Sequence, residues 1–152
     1  MADWKEVQLY GRERDRAADR RHRREAPAPA GRLVRTARDA ELVAAEWMEY
    51  LGYSNVRVTP VGADGGVDVS SDEAYAQVKA KTAPTGISDI QRHFGVCQAA
   101  TRTPLFFSLA GYTTSAMQWA ERARMALFRF DLQGQPEPVS ATARDIVDST
   151  AL

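Results

Sequence analysis

From Thr36 onward the apolar positions alternate between a period near 3.6 and a period of 2, and the elements can be read from that alternation. Leu42, Ala45, Met48 and Leu51 recur at helical spacing. Thr36 and Asp39 have the offset of a capping pair and Gly52 supplies a stop, so a helix is predicted over about 37–51. Three short strands are predicted next. Asn55–Val61 alternates through Val56, Val58 and Val61, with Pro60 at its end, and Gly62–Gly66 reads as a turn. Val67–Ser70 and Tyr75–Ala80 flank Ser71–Ala74 as a compact hairpin. Beyond Pro84 and Gly86, Ser88 is the expected cap of a helix carrying Ile90, Phe94, Cys97 and Ala100. Leu105–Leu109 is a continuous apolar run, as in a strand buried on both faces. Thr113 or Thr114 caps a further helix with Ala116, Trp119, Ala120 and Ala123 along it, and Leu127–Phe130 forms a last strand. The order α-β-β-β-α-β-α-β implies an α/β fold: a mixed sheet with helices on both sides.

The flanks read differently. Residues 1–35 are poor in apolar positions and end in the extended Ala26–Gly31 stretch, an arm and linker by composition. Residues 36–134 hold the periodic patterns, and 135–152 reads as a polar tail with room for a short helix. The chain of 152 residues balances 20 basic against 20 acidic residues, but unevenly. Residues 11–38 carry ten Arg against four acids, a local surplus of six, densest at Arg20, Arg21, Arg23 and Arg24. Arginine grips phosphate with a planar fork of donors, so such an arm suits a polyanion; a solvated tail is the alternative. No apolar run approaches the roughly 20 residues of a membrane span, the N-terminus has no secretory pattern, and one cysteine excludes an internal disulfide or a four-cysteine zinc site. A cytoplasmic protein without membrane contact is expected. His22 and His93 are expected at the surface, and Cys97 in the core.

The chemistry concentrates between Asp64 and Lys79. If the Ser71–Ala74 turn is tight, paired positions sum to 145. Asp68 then faces Gln77 across the hairpin, and Gln77 and Lys79 share one face with Val78 on the other. A carboxylate, an amide and an ammonium side by side fit either a site or a wet sheet face.

The run Gly62-Ala63-Asp64-Gly65-Gly66-Val67-Asp68-Val69, followed by Gln77-Val78-Lys79, resembles the core motif of Mrr-like restriction endonuclease catalytic domains, of the PD-(D/E)XK nuclease superfamily. Ala40-Glu41-Leu42-Val43 through Leu51-Gly52-Tyr53 is similar to that family's Glu-bearing first helix. Phe106–Thr113 with Ala116 resembles its later strand and helix start. The resemblance covers about residues 36–134. It implies metal-dependent hydrolysis of DNA phosphodiester bonds, with Mg²⁺ as the cofactor and Mn²⁺ as a substitute. Asp68 would be the central ligand, joined by the Val78 carbonyl, by Gln77 at a position that is acidic in much of the superfamily, and by Glu41. Lys79 would stabilise charge or act on the attacking water. Asp64 would bind through water or, more simply, accept backbone N–H groups in its turn. Gly65 and Gly66 would let the DNA backbone approach, and Lys81 would add a phosphate contact.

Three departures matter: Ala40 stands where the family typically has a large aromatic, Lys81 alone is basic in the Ala80–Pro84 stretch after Lys79, and no second domain for target recognition is expected. Specificity is then expected from the Arg-rich arm, from a homodimer or higher oligomer, or from a separate partner. A nuclease-fold binding module and a structure-selective resolvase are the alternatives to a restriction or defence endonuclease.

Overall fold

Helix α1 (Ala37–Tyr50) starts where Thr36 accepts the Asp39 N–H and the Asp39 carboxylate accepts the Thr36 N–H, a complete capping box. This computed structural model describes residues 27–60 and 66–150. The arm's Arg20, Arg21, Arg23 and Arg24, together with Asp64, Gly65 and the Gly62–Gly65 turn, lie outside the described residues. The buried stripe of α1 is Ala40, Val43, Ala44 and Met48. Ala40, where the resembled family has a large aromatic, is itself buried in that stripe. Leu42 and Ala45, expected on that stripe, lie on its flank, half-buried.

Strands β1 (Arg57–Val58), β2 (Val69–Ser70) and β3 (Ala74–Lys79) form an antiparallel meander. Helix α2 (Ile87–Ala100), β4 (Thr103–Ser108), α3 (Thr114–Ala123) and β5 (Ala126–Arg129) follow. β3, β4 and β5 are parallel, and β6 (Glu137–Pro138) closes the sheet antiparallel to β5. Among the described residues the result is a six-stranded mixed sheet in the order β1-β2-β3-β4-β5-β6, flanked by four helices, the last being α4 (Ala141–Thr150). This is the α/β architecture of a restriction-endonuclease core.

The period of 2 along β4 and β5 divides the interior in two. Leu105, Phe107, Ala126 and Phe128 meet α1 and α4, with Phe107 and Phe128 stacked at 4.8 Å and 11°. Phe106 and Leu127 face the other way, onto Ile90 of α2 and Ala116 and Ala120 of α3. Central parallel strands buried on both faces are expected to be continuously apolar, and the middle of each, Leu105–Phe107 and Ala126–Phe128, is.

Four expectations are corrected. The first strand is shorter than Asn55–Val61, since only Arg57 and Val58 pair among the described residues. The cap of α2 is Gly86, not Ser88, and it makes no side-chain hydrogen bond. His93 is not a surface residue: it is 1% exposed, its Nε2 lies 3.1 Å from the Tyr75 carbonyl oxygen, and its ring meets Phe106 edge-on. Finally, the polar tail expected over 135–152 holds the short helix it had room for, α4, but is docked on the core over 135–150. Pro138 pairs with Phe128, Ser140 Oγ accepts the Leu127 N–H, and Ala143, Ile146 and Val147 of α4 pack on the core. The end of the linker also docks, through Val34 N–H to the Leu132 carbonyl oxygen at 2.8 Å.

Candidate active site

The hairpin register follows the tight Ser71–Ala74 turn, where Ser71 N–H reaches the Ala74 carbonyl oxygen and Ser71 Oγ accepts the Ala74 N–H. Val69 pairs with Ala76 and Ser70 with Tyr75, the predicted sum of 145. At Asp68 the ladder departs from that pairing, and the expected Asp68–Gln77 opposition is replaced. The Asp68 N–H donates to the Ala76 carbonyl oxygen at 2.9 Å, while its Oδ2 accepts the Val78 N–H at 2.7 Å. Departures of this kind re-aim a side chain at a sheet margin. The Lys79 carbonyl accepts the Leu109 N–H toward β4, so Val78, one residue earlier, turns its N–H and carbonyl toward Asp68.

Glu41, Gly66, Asp68, Gln77, Val78, Lys79 and Lys81 line one cleft of about 620 Å³, at the end of β3 nearest the start of α1. The cleft thus brings together every described residue that the sequence singled out for metal, catalysis or close DNA approach. It also contains Arg35, which sequence reasoning had counted only as part of a basic run. Burial raises the Asp68 carboxyl above the usual carboxylate range, against the Val78 N–H and the Lys79 charge, which lower it. Glu41 is raised too, by burial first and then by the negative charge of Asp68; Arg38 works in the opposite direction. The Arg38 guanidinium reaches Glu41 Oε2 at 3.0 Å and the Thr59 carbonyl oxygen at 3.2 Å, a contact the sequence did not reveal. Gln77 is 7% exposed, yet its side-chain amide has no hydrogen-bond partner among the described residues. Gly66, at φ +71, leaves it space: a Cβ there would stand 3.2 Å from Gln77 Nε2.

Residues 35–132 match the Mrr catalytic family of restriction endonucleases. The chain belongs to the Mrr-like restriction endonuclease family. No curated protein and no solved structure matches it. The family match spans the cleft and all its lining strands, and makes this Mrr-like domain a nuclease of the restriction-endonuclease type.

The donor set suits a hard divalent cation. Two carboxylates, an amide oxygen and a backbone carbonyl are all oxygen ligands, the kind that Mg²⁺ takes while keeping some of its waters. A cation between Asp68 and Glu41 would also relieve their mutual repulsion. Among the described residues no group of three His, Cys, Asp or Glu side chains gathers, so a soft-metal site has no support there. Away from the cleft, Arg92 pairs with Asp89, Arg102 lies over the Tyr75 ring, and Arg124 ends α3 in the left-handed region. None of these, nor Arg122, lines the cleft. No helix among the described residues is long and apolar enough to cross a membrane.

Proposed function

We propose that this protein is a divalent-cation-dependent endonuclease hydrolysing phosphodiester bonds in DNA, of restriction or defence type. The observation that carries the reading is the convergence of two mutually repelling, partly buried acids, an amide without a partner among the described residues and the Lys79 ammonium on a single cleft. Asp68, Glu41, Gln77 and the Val78 carbonyl would hold Mg²⁺, with Mn²⁺ as a substitute. When bound, the ion supplies a Lewis acid and a water of lowered pKa.

The chain's own residues do the rest. Val78 N–H fixes one oxygen of Asp68 and so sets the carboxylate's orientation. Lys79 lies close enough for its charge to be felt at Asp68, and there it stabilises the charge that develops on the phosphate oxygens. Gln77 contributes an oxygen without adding a third negative charge, which favours one firmly held ion over two.

Incubation with supercoiled plasmid tests the reading. Cleavage is expected with Mg²⁺ or Mn²⁺, none with chelator, and a loss of roughly 100-fold or more in Lys79→Met. Cleavage unchanged in both Asp68→Ala and Lys79→Met would overturn the site. The Arg38–Glu41 ion pair and the Gln at position 77 favour a second reading, a binding module of this fold that cuts slowly. Duplex binding with no cleavage under any divalent ion would select it. Cutting both strands of a duplex calls for two such sites, so a homodimer is proposed for the acting species, and light scattering of the DNA complex measures it.

A further inference from the structure

Lys79, Ser108 and Arg129 are paired in register across β3, β4 and β5. Register partners in a sheet share a face, so the three form a row at the C-terminal ends of the parallel strands. Two inter-strand spacings separate Lys79 from Arg129, about 10 Å between Cα atoms. The middle of the row is closed off. Ser108 Oγ donates to the Gly111 carbonyl oxygen at 2.8 Å and lies 2.8 Å from Thr85 Oγ1, while Thr85 bridges to Tyr112. The two cations therefore stand on either side of a backbone strap.

Arg129 is exposed and its stem lies along Gly111, where a Cβ would sit 3.6 Å from its Cδ. Its guanidinium makes no ion pair or hydrogen bond with any described residue. It lines a second cleft of about 550 Å³, which shares Thr82, Leu109 and Leu132 with the active-site cleft and so continues it. Of the carboxylates nearby, Asp131 is occupied, its Oδ1 accepting the N–H groups of Gln133 and Gln135, and Glu137, the register partner of Arg129 on β6, forms no ion pair with it.

We propose that Arg129 anchors a DNA backbone phosphate, extending the bound strand along this second cleft from the phosphate held at Lys79. The proposal rests on the DNA reading above and adds a residue and a direction to it.

The test is fluorescence anisotropy of a labelled random-sequence duplex with full-length protein in chelator, across a NaCl series. Losing one phosphate contact makes the log–log salt slope shallower by about 0.9 in Arg129→Ala, whereas Arg129→Lys keeps the wild-type slope. The wild-type advantage over Arg129→Ala then narrows about 3.5-fold between 50 and 200 mM salt. Arg129→Gln retains most of the stem on Gly111, and the same shift in it excludes a packing effect. Wild-type protein that binds no duplex overturns the DNA reading itself. Wild-type protein that binds, with all three variants matching it at every salt concentration, overturns only the assignment of Arg129.

Discussion

Replacing Asp68 with asparagine separates the cost of the site from its function. The Asp68 carboxyl is raised by burial, so in the folded protein its ionised form is disfavoured relative to the unfolded chain. The sign follows from linkage: a raised carboxyl contributes stability below the unfolded pKa and loses it as pH rises through the folded pKa. Near neutral pH and above, wild-type protein in chelator therefore carries a penalty that the Asp68→Asn variant lacks. The amide oxygen can still accept the Val78 N–H that Oδ2 accepts at 2.7 Å, so the local backbone is kept. In chelator the Asp68→Asn variant is expected to melt no lower than wild type.

Divalent ion reverses the order. An ion present at 100 times its dissociation constant stabilises the folded state by about 2.7 kcal/mol. For a body of roughly 120 residues, 1 kcal/mol is worth about 4 °C, so wild type gains about 10 °C and Asp68→Asn little. Plasmid cleavage is expected to fall at least about 100-fold, since outer partners of metal ligands alone cost 10–100-fold. Thermal scans with MgCl₂ or chelator, paired with cleavage rates, make the measurement. An undiminished Mg²⁺-induced shift in Asp68→Asn, or a melting temperature several degrees below wild type in chelator, would refute the reasoning.

Three further outcomes are expected. Gly66→Ala places a Cβ 3.2 Å from Gln77 Nε2 at φ +71, at a cost of about 1–2 kcal/mol. Thermal melting reads that cost, and the displaced Gln77 lowers cleavage more than stability. Phe107→Ala removes one ring of the stacked pair with Phe128 from a fully buried strand; a loss of about 3–5 kcal/mol is expected in urea unfolding. His93 is held below the usual histidine range by burial, so its contribution is present above the unfolded pKa and is lost as pH falls through the folded one. Wild-type stability therefore declines below about pH 6.5 more steeply than that of His93→Gln, whose baseline is lower; melting across a pH series checks this.

Much of this molecule was legible because local signals agreed with tertiary ones. The Thr36–Asp39 box, the tight Ser71–Ala74 turn and the apolar Leu105–Phe107 centre of β4 each have one physical solution, and together they placed Glu41, Gln77 and Lys79 around one cleft. The failures have physical causes too. Arg57–Val58 pairs over only two residues, because alternation predicts a strand but cannot say how far its partner extends. The 135–150 segment reads as polar, yet Ala143, Ile146 and Val147 suffice to dock α4 once Ser140 has fixed its start. His93 looked exposed beside Arg92, but helical geometry turns adjacent residues about 100° apart, onto different faces. The slip at Asp68, the Arg38–Glu41 contact and the Lys79–Arg129 row depend on how separate segments meet, and no local pattern encodes them.

The two acids and the amine are not mounted on equally firm ground. Lys79 ends a six-residue strand with ladders on both sides, whereas Asp68 precedes a strand of two residues whose outer neighbour is equally short. Amide protons around Asp68 should thus exchange with solvent through local excursions that leave the Lys79 side shut. Catalytic readiness then becomes a matter of fastening a loose jamb to a fixed one. A cation shared between them would serve as the latch, and loading it would be felt first as quieting of this margin.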